Sequence, residues 1–174
     1  MKRLLFLAAF LPAAAHAAWG DFEYNYDLDT PWKELETQLP PYPKEEDLLP
    51  FTLAPTTDNS FFIDQKSISV GEDGIIRFTL VIRSPQGANN VMFEGIRCAT
   101  EEARIYAYGR ADGTWSKAKD NVWRTVLYDR KHRPEYVLTT DFFCPRNIVV
   151  ANPREAIEAL KQGKNPHAGK STWF

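Results

Sequence analysis

Cysteine is scarce in this chain, with two in 174 residues, which excludes a small disulfide-stapled scaffold. Histidine is thin as well. Of three, only His132 and His167 lie beyond residue 17, and both sit in polar, turn-like sequence that suits surface positions better than metal ligation. A strong excess of one charge is also missing: the formal net charge is −2, so no broad basic face for nucleic acid is indicated. Long apolar runs are absent, the longest (4–15) having about a dozen residues where a membrane span needs about 20. There is no G-x-S-x-G turn for a serine nucleophile and no C-x-x-C redox pair. The acidic run Glu45-Glu46-Asp47 lacks the spaced oxygen ligands of a calcium loop, and no spacing singles out two acids for glycoside cleavage. Repeats and low-complexity tracts are missing too. No metal and no cofactor is expected.

What is present begins with Met1-Lys2-Arg3, the apolar run, and the small-x-small close Ala15-His16-Ala17. Together these predict a secretory signal peptide over 1–17 and a mature chain starting near Ala18. No cysteine follows the expected cut, so neither a lipid anchor at that point nor a membrane span is expected. Export makes pairing of Cys98 with Cys144 the default. In the chain-entropy model so long a closed loop contributes about 4 kcal/mol.

Without Lys2 and Arg3, 19 bases and 23 acids leave a net charge of −4, unevenly placed. Residues 19–50 carry −7 and residues 51–174 carry +3. The chain therefore divides into the leader, an acidic Pro-rich arm over 18–59 and a body over 60–174. In the arm, Phe22, Tyr24 and Tyr26 alternate as an edge strand or ordered extension would. Thr30-Pro31 followed by Trp32, Leu35 and Leu39 at helical spacing predicts a short helix ending at Pro40-Pro41. Five prolines between residues 40 and 55 then mark an extended connection across a surface.

The body reads as a meander. Residues 61–70 and 75–84 flank the turn Gly71-Glu72-Asp73-Gly74 and predict a hairpin, with Ile76, Phe78, Leu80 and Ile82 on one face. Further strands are expected at 91–98 and 103–109, another after the turn Ala111-Asp112-Gly113, and one at 122–128. Beyond Pro134, Val137, Asp141 and Cys144 are spaced for a helix. A final helix is capped by Asn152, with Pro153 first, Glu155 three residues after the cap, Ile157 and Leu160 inward, and Gly163 as its stop. The fold class is α+β: a single antiparallel sheet of about four to six strands, one or two C-terminal helices, and an N-terminal arm folded across the sheet.

The residues most suggestive of binding are Arg97, Arg104, Tyr106, Tyr108, Arg110, Trp115, Trp123 and Arg124. Strict alternation along a strand puts Arg104, Tyr106 and Tyr108 on one face, where they could stack on a ligand ring or hold a carboxylate. The competing reading is that the acidic arm docks there, with Trp19, Phe22 and Trp32 filling the gaps. The final Trp173-Phe174 evokes an outer-membrane barrel terminus, but the last ten residues lack the alternating pattern of a lipid-facing strand.

Asp73-Gly74-Ile75-Ile76-Arg77-Phe78, Ser84-Pro85-Gln86-Gly87-Ala88, Glu94-Gly95-Ile96-Arg97-Cys98, Tyr106-Ala107-Tyr108-Gly109, Asp112-Gly113-Thr114-Trp115 and Phe142-Phe143-Cys144-Pro145 together resemble the cryptic neisserial protein family, small exported proteobacterial proteins with no established activity. The resemblance runs over about residues 19–163 and implies a Gram-negative periplasm and one exported domain, with no catalytic residue to carry over. The expectation is a non-catalytic module of the cell envelope that binds a partner protein or small ligand. Two rivals stand beside it: a small hydrolase of cell-wall sugar or peptide built from carboxylates and His132, and an assembly subunit that dimerises by exchanging its arm.

Overall fold

The computed structural model describes residues 31–53, 57–126 and 133–168; Pro31 apart, these belong to the compact unit Trp32–Phe174. The leader, the aromatic alternation at Phe22 to Tyr26, Trp19, Leu127, Tyr128, His132 and Trp173-Phe174 lie outside the described residues. The fold is the α+β arrangement expected: one antiparallel sheet with its helices on a single face.

Among the described residues the strands are β1 (Leu48–Phe51), β2 (Ser60–Val70), β3 (Ile75–Arg83), β4 (Asn89–Arg97), β5 (Glu102–Gly109), β6 (Trp115–Lys117) and the two-residue β7 (Arg124–Thr125). Each of β1 to β5 pairs with the next in sequence, and β7 shares the outer edge of β5 with β6. Short turns suffice for such a meander because consecutive antiparallel strands need no crossover. The β2–β3 turn closes with the Gly74 amide donating to the Gly71 carbonyl at 3.0 Å. Segment 122–128, expected as a strand, contributes only Arg124–Thr125 within the described residues.

Directly paired residues share a face, which assigns each side chain. On one face Ile76, Phe78 and Leu80 of β3 join Phe61 and Ile63 of β2, Phe51 of β1 and Ile96 of β4. The helical layer covers this face. Helix α1 (Pro134–Val137) runs into a six-residue π-helical turn, Leu138–Phe143, closed by the Cys144 amide donating to the Thr139 carbonyl. Leu138, Phe142 and Phe143 are thereby pressed onto the sheet. Helix α2 (Pro153–Gln162) buries Ala156, Ala159 and Leu160. Its start is as predicted: Asn152 Oδ1 accepts from the Glu155 amide at 3.1 Å, while Glu155 Oε2 accepts from the Ala151 amide at 2.8 Å. Gly163 ends it in the left-handed region at φ 76°. Cys98, just past β4, is bonded to Cys144 at the end of the π turn, with Cα atoms 5.3 Å apart, fastening the helical layer to the sheet.

The opposite face sets the polar residues Arg77 and Thr79 beside a small apolar cluster of Phe93, Tyr106, Ala107 and Trp115, and is covered by chain, not helix. Residues 31–44 carry no regular secondary structure, so the helix expected there does not form. Its apolar residues would have had nothing to bury against: Trp32, Leu35 and Leu39 remain 39%, 48% and 39% exposed. The backbone instead finds its partners in the sheet. The Leu35 amide donates to Asp73 Oδ2 at 2.9 Å, and the Leu35 carbonyl accepts from Arg77. The segment is thus an extended strap. The sheet also starts earlier than position 60, because Leu48–Phe51 pairs with β2; Pro50 is tolerated there since an edge strand leaves one row of amides unused.

Candidate functional site

The strap explains most of the arginine and aromatic set read from the sequence. Glu34 sits at its centre, accepting hydrogen bonds from Arg104 Nη1, from the Tyr106 hydroxyl at 2.7 Å and from Trp123 Nε1 at 3.1 Å. Arg77 lies 3.8 Å away and is the hub that ties strap to sheet. Its guanidinium donates twice to Asp73, at 2.6 and 3.3 Å, and once to Thr37 Oγ1 at 3.1 Å. Both partners of this ion pair are buried, with Arg77 and Asp73 side chains 8% and 1% exposed. Burial works to raise the Asp73 carboxyl, but hydrogen bonds from Arg77 and the Leu35 and Ile75 amides, with Arg77's charge, outweigh it and hold Asp73 below its ordinary value. Burial first, then the hydrogen bond to Glu34, pushes the Tyr106 hydroxyl well above its ordinary range.

Around this centre Arg97 stacks on Trp32 with its guanidinium 3.8 Å from the ring centroid. Trp32 meets Trp123 edge-on at 6.1 Å. Trp115 donates to the Pro40 carbonyl at 2.9 Å and packs against Tyr42. Arg97, Arg104, Tyr106, Trp115 and Trp123 therefore do meet, and their occupant is the chain's own strap. Arg110 is exposed at the β5–β6 turn, where its carbonyl accepts from the Tyr42 hydroxyl.

Tyr108 and Arg124 go elsewhere. A register shift between β4 and β5 pairs Phe93 with Ala107 but Glu94 with Ile105, leaving Tyr106 as the extra residue of a bulge. Tyr106 lies over Gly95, where a Cβ would come within 2.7 Å of its hydroxyl, so only glycine fits beneath the ring. The strict alternation expected from sequence fails here. Arg104 and Tyr106 keep the strap face, whereas Tyr108 shares the opposite face with Met92 and Ile105.

On that opposite face, between β4, β5, β7 and α1, lies a cleft of about 490 Å³. Ala103, Ile105, Val122 and Val126 supply apolar wall; Tyr108 and Tyr136 supply aromatic wall. Its lining also includes Glu94, a β4 residue only 1% exposed. Neither carboxyl oxygen of Glu94 has a hydrogen-bond partner, and neither does Oε2 of Glu135, delivered to the same cleft by α1. Burial, and secondarily the Glu135 charge, raises the Glu94 carboxyl well above its ordinary value. The lining arginines are partly committed: Arg104 to Glu34 and Asn121, Arg124 to Asp120.

Glu94, Glu34, Asp73 and Arg77 were not singled out from the sequence. The signal for Glu94 was there, since Met92, Glu94 and Ile96 hold the inward positions of a strand and a charge in that series is anomalous. Arg77 shows the same signature, a charge inside the densely apolar run 75–82. Among the described residues no group of three or more potential metal ligands is found, and no helix is long and apolar enough to cross a membrane.

Fold and site together define a one-sheet α+β protein with a strapped face and an acid-floored cleft opposite. The chain belongs to the CNP1-like family, whose pattern it matches over residues 27–161, a family of uncharacterised proteins. No curated protein and no solved structure matches it.

Proposed function

We propose that this chain is an exported, non-catalytic binding module of the cell envelope, and that it takes its ligand in the Glu94 cleft and not on the arginine and tyrosine face. Export is supported by the leader pattern over 1–17, by the Cys98–Cys144 bond and by the resemblance to the cryptic neisserial proteins of the periplasm. The cleft's volume falls in the range of small-molecule sites, roughly 300–1,000 Å³. The observation that carries the reading is Glu94: a wholly buried carboxyl without a partner costs free energy in the empty protein, and a bound donor would remove that cost.

Native mass spectrometry of the protein released from its host's periplasm is expected to show a retained small molecule. Val122→Trp, which fills the cleft from a position 52% exposed, is expected to lose most of it. Equal retention by both proteins would remove the cleft from the proposal. A second reading draws on the same cleft, because two carboxyl groups lining one hollow are the raw material of acid–base hydrolysis. Turnover of cell-wall fragments by the wild type but not by Glu94→Gln would replace binding with that chemistry.

A further inference from the structure

We propose that the cleft's ligand is a small primary amine, an ammonium group on an apolar stem, with the ammonium seated between Glu94 and Glu135. This rests on the binding reading above and names its ligand class. The floor of the cleft holds two acidic side chains that no base and no neighbouring donor answers among the described residues: both oxygens of Glu94 and one of Glu135 are buried and unpartnered. An ammonium brings three donors and one positive charge, matching both deficits at once, whereas a hydroxyl brings one donor and no charge. A divalent metal fits less well, since no third ligating side chain stands with the pair among the described residues.

The walls agree with this chemistry. Ala103, Ile105, Val122 and Val126 suit a hydrocarbon stem, and the Tyr108 ring, 44% exposed in the lining, offers a face to a cation. The charged groups that line the cleft with Glu94 come from every neighbouring element: Glu135 and Arg133 from α1 and its approach, Arg104 at the β5 edge, Arg124 from β7, and Asp120 before it. Arg104 is neutralised by Glu34 and Arg124 by Asp120, while Arg133 is exposed. What is left uncompensated at the floor is acidic.

A proton balance follows. With no cation beside it, Glu94 is held protonated above the range of an exposed glutamate by its burial and by the Glu135 charge. When the ammonium enters, Glu94 ionises and its proton passes to the buffer, so the carboxyl–ammonium pair forms with the release of up to one proton per ligand.

Isothermal titration of the full chain at pH 7 with hexylammonium, hexan-1-ol and hexanoate tests this, repeated in buffers of different ionisation enthalpy. Hexylammonium is expected to bind with proton release and the other two to bind at least about tenfold more weakly. Glu94→Gln keeps the shape of the side chain but cannot ionise; it should abolish the proton release and weaken hexylammonium roughly tenfold to a hundredfold. Glu135→Gln should weaken it less and reduce the protons released, and it serves as the readout should Glu94→Gln fail to fold. Nα-acetyl-lysine amide binding more tightly than hexylammonium would overturn the free amine in favour of a peptide-borne one. Hexanol or hexanoate binding as well as the amine, with Val122→Trp blocking it, would overturn the amine and leave the cleft as a binding site. No binding by any of them, together with no retained molecule in the native protein, would overturn both.

Discussion

Glu34 and Glu94 are both sheltered from water on opposite faces of one sheet, and they are treated in opposite ways. Glu34 receives donors from an arginine, a tyrosine and a tryptophan; Glu94 receives none. The strap face is therefore a closed lock, in which the two sheltered acids, Glu34 and Asp73, are each answered by a base and an N–H. The cleft face is an apolar core with an unanswered acid at its margin. A satisfied buried network stabilises one arrangement, whereas an unsatisfied group is tolerated at the expense of stability.

The sharpest way to break this contrast is at the buried ion pair. Asp73→Ala strands the Arg77 guanidinium and the Leu35 amide, and is expected to cost about 3–5 kcal/mol in urea unfolding at pH 7. Asp73's folded-state pKa lies below its ordinary value of 3.8, so its contribution is complete above that value and is lost as pH falls through the folded pKa. An unchanged midpoint would mean that the strap is not locked. Glu34→Gln is expected to cost about 2–3 kcal/mol, because one carboxylate oxygen becomes a donor facing other donors. It should also raise the exposure of Trp123 and Trp32, readable as a red shift of fluorescence.

The smallest expected effect carries the opposite sign. Glu94→Leu should stabilise the protein by about 1–2 kcal/mol at pH 7, since it exchanges an unpartnered acid for an apolar side chain. The folded pKa of Glu94 lies above its ordinary 4.5. The native state then binds more protons than the unfolded one between those values, and wild-type stability declines as pH rises across that window. Glu94→Leu should flatten the decline. The two faces are thus separable by titration alone: one weakens on acidification, the other on alkalinisation.

Features set by local chemistry could be read directly from the chain. The β2–β3 hairpin, the Asn152 cap with Pro153 and Glu155, and the Gly163 stop each depend on a few adjacent residues. The cysteine pairing was expected from the leader pattern and from there being two cysteines, and the bond is present. What escaped was decided by partners distant in sequence. Trp32, Leu35 and Leu39 are spaced for a helix, yet spacing is blind to Asp73 and Arg77, which claim the backbone for a strap. Pro50 argued against a strand that an edge position permits. The reading of an acidic arm docked on the arginine and tyrosine face came from its charge and its aromatic residues; of that arm the described residues place Glu34 and Trp32 there, while Trp19 and Phe22 lie outside them.

The bulge at Tyr106 has one more effect. It splits β5 into two half-strands out of phase, so a single inserted residue lets one ribbon serve both the lock and the hollow behind it. Removing that residue would restore the beat with Tyr108 still opposite Met92 on the cleft side, and would take from the strap side the ring that covers Gly95. The place of Tyr106 between strap and sheet hangs on a miscount of one.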